Sequence, residues 1–325
     1  MYRERMLQRI TIEAIARAAG VSKATVSRVL GVHPERHDVR VATREKILRV
    51  AETLGWRGPA LPKERPEAVL ALVYEATEAS PGEGVASAVA KACRAAGVVL
   101  TYEPVTRPVA AWRHRLEHHL QPSGILIVTP IPTDPLALAG LTCPMVVVNQ
   151  RTGLALPHVL PDNEQAGALL GRRLFLTGHR QAIYLAPDDD FHSSVEDRAR
   201  GLRQAGLSLI RHPVDAAEDV VERLRFRNHG RPTAVVAWSW LAAVETLFAC
   251  HRHGLEVPHD LSVLAFDDGH VVATAHPPLT VVDPQHDLMA TEAVRMVLIG
   301  ERNRKEIRTS VRLIERLSDG PAPDR

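Results

Sequence analysis

Residues 11–30 have the sequence TIEAIARAAGVSKATVSRVL, which contains the pattern of two short amphipathic helices separated by a turn. Thr11 is placed to cap the first helix, and apolar side chains then recur three and four residues apart, at Ile12, Ile15, Ala16 and Ala19. Gly20 suits the left-handed conformation that ends a helix, and Ser22 is placed to cap a second one. The inner face of this second helix is also apolar, at Val26, Val29 and Leu30. Two capped helices joined by a short turn that contains glycine form a helix-turn-helix.

A third helix is predicted after this pair. Its apolar stripe is Ile47, Val50, Ala51 and Leu54, with Thr43 placed to cap the helix and Gly55 to end it. The three apolar stripes together can close a small core, so the sequence predicts a three-helix head over residues 8–57.

The second helix of the pair leaves one face exposed, formed by Lys23, Ala24, Thr25, Ser27 and Arg28. In a helix-turn-helix, the exposed N-terminal part of the second helix is the part that enters a DNA major groove. The charge distribution favours the same partner, because residues 1–65 contain fourteen Lys and Arg against seven Asp and Glu, whereas the rest of the chain contains 26 against 31. The alternative is a plain three-helix bundle with a solvated face.

The chain after residue 67 alternates between short apolar runs and helical stretches. Runs such as AVLALVY (68–74), GILIVT (124–129) and TAVVAW (233–238) are typical of buried strands, and GEGVASAVAKACRAAG (82–97) is typical of a helix. This alternation predicts an α/β fold in which helices cover parallel sheets. Two series of such strands suit two doubly wound lobes, with a small molecule bound at the carboxyl ends of the strands.

Composition argues against a membrane or secreted protein. Hydrophobic residues make up 45% of the chain and charged residues 24%, and no apolar run reaches the roughly 18 residues that span a bilayer. The first residues, MYRERMLQRI, lack the apolar core of a signal peptide. Cys93, Cys143 and Cys250 lie far apart among apolar neighbours, which indicates free thiols in a reducing compartment. We therefore expect a cytoplasmic protein.

The sequence contains none of the common enzyme motifs. It has no Gly-x-x-x-x-Gly-Lys phosphate loop, no Gly-x-Ser-x-Gly elbow and no His-Glu-x-x-His. His114 and His118 are four residues apart, as in some zinc sites, but no third ligand follows at a suitable spacing, so a solvated helix face is the simpler interpretation. We expect no enzymatic activity, no cofactor and no metal.

The quoted helix pair, followed by VATREKILRVAETLGW (41–56), resembles the DNA-binding head of the lactose-repressor (LacI/GalR) family of bacterial transcription regulators. Family-like blocks continue in family order to about residue 316, among them EDRARGL (196–202), GLEVPHDLSVLAFDD (254–268) and HPPLTVVDP (276–284). The resemblance implies a transcriptional regulator, most simply a repressor, that acts as a homodimer on a double-stranded DNA operator with two half-sites. A small-molecule effector would bind between two periplasmic-binding-protein-like lobes.

The resemblance also implies the domain boundaries. Residues 58–67 would form a linker after the head, and Pro62 and Pro66 argue against a regular helix there. Residues 68–157 with 283–305 would form the first lobe, and residues 158–282 with 306–318 would form the second.

Several site residues follow from the resemblance. Base contacts are assigned to Lys23, Ala24 and Arg28, and phosphate contacts to Thr11, Ser22, Thr25 and Ser27. Arg198 occupies the family position whose guanidinium donates to effector oxygens, and Asp267 matches an acceptor for effector hydroxyls or amines. These two residues could instead form a structural ion pair. Asp162 matches a third effector contact, or serves only as the cap of the following helix.

The sequence departs from the family pattern at Ser239 and Trp240, which stand where the family commonly has Asn-Asp and are preceded by Trp238. The two indoles could stack on a ligand ring or pack within the protein, so the effector class stays open between sugar-like and nucleobase-like molecules. The rival function is a cytoplasmic small-molecule-binding or sugar-converting protein whose head no longer binds DNA. The basic and polar face of the second helix favours DNA binding.

Overall fold

The computed structural model describes residues 11–30, 39–54, 69–75, 83–105, 109–128, 141–188, 192–224 and 231–323. The chain divides into two compact units, Met1–Glu67 and Ala68–Arg325. The predicted linker at residues 58–67 lies outside the described residues, as does Gly55.

The first unit contains the predicted helix-turn-helix. Its described helices are α1 (Ile12–Ala19), α2 (Lys23–Leu30) and α3 (Val41–Thr53). Gly20 has a φ of 63°, a left-handed conformation that costs glycine little, and this allows the sharp turn between α1 and α2. The three helices share one buried apolar core, formed by Ile15, Ala16, Ala19, Val26, Val29, Ile47 and Ala51.

The ends of α3 differ from the prediction. The Arg40 carbonyl accepts the N–H groups of Thr43, at 2.9 Å, and of Arg44, at 3.0 Å, so the helix begins at Val41. Thr43 therefore lies within the first turn, and its prediction as the cap is wrong. Leu54 follows the last helical residue and exposes 37% of its surface, so it does not belong to the core as predicted.

The first lobe of the second unit is built on a six-stranded parallel sheet with the order β11-β5-β4-β3-β1-β2. The strands are β1 (Val69–Glu75), β2 (Val99–Val105), β3 (Gly124–Val128), β4 (Met145–Val148), β5 (His158–Pro161) and β11 (Glu306–Thr309). Leu126 and Val128 face α4 (Glu83–Ala95) and α11 (His286–Leu298), whereas Ile125 and Ile127 face the other side. There they pack against α5 (Val109–Arg115) and the π-helical turn Leu116–Leu120.

The second lobe is built on a six-stranded sheet with the order β12-β10-β9-β8-β6-β7, in which β12 alone is antiparallel to its neighbour. The strands are β6 (Gln181–Leu185), β7 (Ser208–His212), β8 (Ala234–Ala237), β9 (Ser262–Phe266), β10 (Thr280–Asp283) and β12 (Arg312–Ile314). Helices α6 (Asn163–Leu176) and α7 (Ser194–Gln204) cover one face. Helices α8 (Ala217–Leu224), α9 (Trp240–Arg252) and α10 (His270–Thr274) cover the other.

This architecture confirms the predicted α/β class, with a helix-turn-helix unit and two doubly wound lobes. Two strands, however, lie in the first lobe although their residues were predicted for the second. His158 pairs with Val147, and Ile307 pairs with Val159, so β5 and β11 extend the first sheet. The chain therefore passes from the first lobe to the second after β5, and again after β11. An apolar run such as HVLP is buried in either sheet, and its sequence does not indicate which neighbour it pairs with.

Within the part of the chain that the structure describes, no helix has both the length and the apolar character needed to cross a bilayer.

Candidate functional site

The candidate DNA-binding face lies on α2. Val26 and Val29 point into the head core, which leaves Lys23, Ala24, Ser27 and Arg28 exposed on the opposite side and Thr25 half-buried. The exposed face therefore combines two cations with small side chains that allow close approach of the helix to a DNA groove.

Two of the four hydroxyl residues predicted to contact phosphates, Thr11 and Ser22, also cap helices. Thr11 Oγ1 accepts the N–H of Ala14 at 3.2 Å, and Ser22 Oγ accepts the N–H of Thr25 at 3.1 Å. The hydroxyls of Ser22 and Thr25 are 2.7 Å apart and share a hydrogen bond. Because the positive end of the helix dipole lies at the start of α2, this end of the helix favours an anion such as phosphate.

The second candidate site lies at the carboxyl edge of the second sheet. Trp238 follows β8 directly and Asp267 follows β9 directly, while β6 leads to α7, which carries Arg198. Because these strands are parallel, their carboxyl ends meet at one edge, where open α/β sheets bind ligands.

Arg198 is buried at this edge, with 6% of its surface exposed. Its Nε donates to Asn163 Oδ1 at 3.0 Å, and its Nη1 donates to the Trp238 carbonyl at 2.6 Å. The guanidinium carbon lies 4.3 Å from the centre of the Phe266 ring. Among the ion pairs of the described residues, none joins Arg198 to Asp267, so the structural ion pair considered from the sequence is not formed.

Asp267 adopts a left-handed conformation, with a φ of 73°, at the end of β9. Its N–H donates to the Val282 carbonyl at 3.0 Å, and its carboxylate lies 3.9 Å from Nε2 of His286. His286 begins α11 and so belongs to the first lobe. Burial lowers the pKa of His286, and the neighbouring Asp267 carboxylate opposes that shift. The carboxylate thus faces a histidine from the other lobe.

Two of the remaining predicted effector residues, Asp162 and Ser239, cap helices. Asp162 caps α6 by accepting the N–H of Gln165 at 3.0 Å, and Ser239 caps α9 by accepting the N–H of Ala242 at 3.3 Å. Trp240 is the first residue of α9 and exposes 37% of its surface. Trp238 is half-buried against the core, and its indole N–H donates to Ser194 Oγ at 2.9 Å. Of the predicted effector residues, Arg198 and Trp238 are in direct contact, through the hydrogen bond from Arg198 Nη1 to the Trp238 carbonyl.

Three residues that lie beside Arg198, Trp238 or Asp267 were not predicted from the sequence, namely Asn163, Ser194 and His286. Asn163 could have been found, because it follows Asp162, for which the resemblance implies an effector contact. His286 has no local signal, since its place beside Asp267 depends on the packing of two lobes.

The histidines of the α5 region do not form a recognised metal centre. The ring of His114 lies 4.4 Å from that of His118 and 5.8 Å from that of His119, measured between centroids. Among the described residues, no three or more His, Cys, Asp and Glu side chains are arranged to hold a metal ion.

An exposed helix-turn-helix face, together with a two-lobed α/β unit that has a buried guanidinium at a sheet edge, is typical of DNA-binding regulators. Comparison with known families agrees: residues 11–58 match the model for bacterial regulatory proteins of the lacI family, and residues 172–318 match a periplasmic binding protein-like domain. An HTH-type transcriptional regulator in the aml 5' region of Streptomyces limosus is 32% identical over 87% of this chain and 86% of its own. The chain belongs to the LacI family of bacterial transcriptional regulators.

Other relatives and solved structures agree with this assignment. The regulator MalR of Streptomyces coelicolor is 29% identical over 87% of this chain and 88% of its own. The structure of a CelR–cellobiose complex is 26% identical, covers 95% of this chain and all of its own, and superposes with a TM-score of 0.65. The lac repressor dimer bound to operator and the anti-inducer ONPF covers 96% of this chain and 99% of its own with a TM-score of 0.69, and at 20% identity it shows the shared fold.

Proposed function

We propose that this LacI-family protein is a repressor that binds a two-half-site operator as a homodimer and is controlled by an uncharged sugar bound between its lobes. The observation that carries the proposal is the buried guanidinium of Arg198 at the carboxyl edge of the second sheet. Such a protein acts where the operator DNA is, in the cytoplasm.

The surroundings of Arg198 favour a ligand rich in hydroxyl groups. A guanidinium has five N–H donors, and the two hydrogen bonds to Asn163 and Trp238 occupy two of them. The remaining donors of the guanidinium suit a ligand with acceptor oxygens, because hydrogen bonds from a charged donor are strong. Asp267 supplies an acceptor of opposite charge at the same edge, so the pair suits an uncharged ligand. The solved relative CelR binds cellobiose, a molecule of this class.

The exposed face of α2 supports operator binding. Lys23 and Arg28 are suited to guanine O6 and N7, and the methyl group of Ala24 is suited to a thymine methyl. Thr11, Ser22, Thr25 and Ser27 would contact phosphates and set the position of the helix in the groove. One short helix contacts only a few base pairs, so two heads related by two-fold symmetry are needed for a specific site.

The second lobe offers a surface for dimer formation. Leu241 exposes 52% of its surface and Phe248 65%, both on α9, and the neighbouring Trp240 and Val271 are also exposed. Exposed large apolar side chains grouped on one face are typical of protein interfaces. We assign this face, formed by Trp240, Leu241, Phe248 and Val271, to a second copy of the chain.

The mechanism is a shift between two arrangements of the lobes. A sugar that contacts residues of both lobes stabilises the closed arrangement, and the dimer then places its two heads differently. The ratio of the sugar's affinities for the two arrangements sets the largest change in operator affinity that the sugar can cause.

The test begins with selection of an operator from random duplexes by the full-length protein. Binding to the selected operator is then measured by fluorescence anisotropy with and without cellobiose and other disaccharides. We expect Arg198→Met to lose the response to the active sugar while operator affinity without sugar is retained, because the head is a separate unit. Arg203→Met, at an exposed position of α7, is the matched control.

Two results would contradict the proposal. Selection without any enriched duplex would favour the rival function, in which the head no longer binds DNA. A normal sugar response in Arg198→Met would remove Arg198 from the effector site.

A further inference from the structure

One contact joins the two lobes beside the proposed effector site. The backbone N–H of Arg151, three residues after β4 of the first lobe, donates to Ser193 Oγ in the second lobe at 2.9 Å. The Arg151 guanidinium also pairs with Asp197 on α7. We refer to these residues, Arg151, Ser193 and Asp197, as the interlobe contact.

A buried polar side chain precedes each end of this contact. Gln150 precedes Arg151 and exposes 4% of its surface, and His192 precedes Ser193 and exposes 7%. The Gln150 amide nitrogen and His192 Nε2 are buried, and neither has a hydrogen-bond partner among the described residues. Gln150 in the first lobe and His192 in the second thus each have an unpartnered nitrogen next to the interlobe contact, and Nε of Arg151, within the contact, makes no hydrogen bond to the described residues and lies 3.7 Å from Glu306 Oε2.

The hydrogen bonds around His192 show that Nε2 is a donor. The backbone N–H of Ser194 donates to His192 Nδ1 at 3.1 Å, which makes Nδ1 an acceptor. Ser194 Oγ accepts the Trp238 indole N–H at 2.9 Å and lies 2.8 Å from Nδ1, to which its own hydrogen is donated. In a neutral imidazole the proton then resides on Nε2. Burial lowers the pKa of His192 to about 3, so the ring is neutral at physiological pH.

Buried donors without partners are unfavourable, so native proteins leave few of them. Two such donors, from different lobes and on either side of one contact, are suited to the acceptor oxygens of a single ligand. Because the amide and the neutral imidazole carry no charge, they match uncharged hydroxyl oxygens better than they match a phosphate, which favours charged donors.

We propose that Gln150 and His192 donate hydrogen bonds to hydroxyl oxygens of the sugar effector, one from each lobe, and thereby determine which sugar closes the lobes. This inference rests on the proposed function and adds two specificity-determining residues to it. Trp238 and Ser194 act as positioning residues, since their hydrogen bonds fix the tautomer and orientation of the His192 ring.

The experiment uses the full-length protein with Gln150→Met and His192→Phe, which remove the donors and approximately keep the side-chain volume. Matched controls are Gln165→Met on the exposed side of α6 and His114→Phe at an exposed position of α5. Binding of cellobiose and a panel of other disaccharides is measured by calorimetry. The thermal midpoint of each sugar-free variant is recorded as well.

We expect each donor variant to bind the active sugar at least tenfold more weakly, while the controls bind it as tightly as the unsubstituted protein. Removal of an unpartnered buried donor should leave the thermal midpoint of sugar-free Gln150→Met unchanged or raised. A lowered midpoint would show that Gln150 has a structural partner and would overturn its assignment.

The outcomes separate this inference from the proposed function. If the unsubstituted protein binds a sugar and both donor variants bind it equally well, the inference fails and the proposed function stands. If the unsubstituted protein binds no sugar of the panel, the proposed effector class fails and this inference fails with it.

Discussion

Arg28 and Arg198 carry the same guanidinium group, but their surroundings suit them to different ligands. Arg28 lies exposed on α2, the helix that we propose enters the major groove. Arg198 is held by Asn163, Trp238 and Phe266, so its orientation is set before any ligand arrives. Such preorganisation favours binding of a small ligand, because the side chain loses little conformational entropy when the ligand binds.

Arg28 is expected to discriminate between bases. Arg28→Ala should weaken operator binding by about 1 to 3 kcal/mol and relax the preference at one base pair per half-site, because a bidentate contact to guanine is lost. Fluorescence anisotropy with single-base operator variants measures both effects. Arg49→Ala, at an exposed position of α3, is the control and should keep the preference intact. Equal weakening on all operator variants would assign Arg28 to the phosphates instead.

His192 is expected to make stability depend on pH. Its pKa is about 3 in the folded protein against an ordinary value of 6.5, so between these values the unfolded chain binds the extra proton. The free energy of unfolding should therefore fall as the pH drops below 6.5, by up to about 1.4 kcal/mol per pH unit from this residue. Urea denaturation between pH 7 and pH 5 should show a shallower decline in His192→Phe than in His114→Phe. Parallel declines would contradict this assignment.

Among the elements, α6 and α7 pack unusually close because glycines line their contact. A methyl group on Gly201 would lie 2.0 Å from the Glu164 carbonyl oxygen, and one on Gly167 would lie 2.1 Å from the Arg198 carbonyl oxygen. Both neighbours are backbone atoms, so the helices themselves would have to separate. The close packing brings Asn163 on α6 within hydrogen-bond distance of Arg198 on α7. The proposed effector site depends on this hydrogen bond.

Gly201→Ala is expected to disturb both stability and the effector site. Overpacking of this kind costs about 1 to 3 kcal/mol, and separation of α6 from α7 should weaken the Asn163–Arg198 hydrogen bond. Chemical denaturation gives the first effect, and sugar affinity by calorimetry gives the second. Gly153→Ala, where an added methyl group meets no atom within 4 Å, is the control. Unchanged stability of Gly201→Ala would mean that the two helices adjust freely.

At the scale of the whole molecule, the second lobe presents apolar side chains on two different faces. The proposed dimer face on α9 and α10 contains several of them, whereas Leu176 at the end of α6 exposes 76% of its surface on the opposite side of the sheet. A dimer with two-fold symmetry uses the same patch on both copies, so one charged residue there is introduced twice.

Leu241→Asp is therefore expected to dissociate the dimer. Light scattering at micromolar concentration should report a mass near that of one chain, 35.7 kDa, in place of twice that value, because two like charges would meet at the interface. Leu176→Asp carries the same substitution on the other face and should remain dimeric. If Leu176→Asp dissociates the dimer and Leu241→Asp does not, the dimer interface lies on the α6 side of the lobe.

The sequence by itself determined the features whose physical cause lies within a few residues. Thr11, Gly20 and Ser22 set the helix-turn-helix through local capping and a left-handed turn, and the structure has all three in these roles. The alternation of apolar runs and amphipathic helices likewise determined the doubly wound class, because central strands such as β3, β8 and β9 are buried on both faces whichever strand they pair with. Arg198 and Trp238 were both predicted from the sequence as effector contacts, and the structure places them in hydrogen-bond contact with each other.

Tertiary structure alone decided which distant segments meet. β11 joins the first sheet by pairing with β5, whose residues lie about 150 positions earlier, and the local sequence contains no signal for that pairing. The same holds for His286 beside Asp267 and for Arg151 beside Ser193, which belong to different lobes. Hydrogen-bond satisfaction is also a property of the packed molecule, so the unpartnered nitrogens of Gln150 and His192 became visible only there. Helix capping and hydrophobic periodicity depend on residues that are close in the sequence, whereas strand pairing and burial depend on residues that are distant in the sequence.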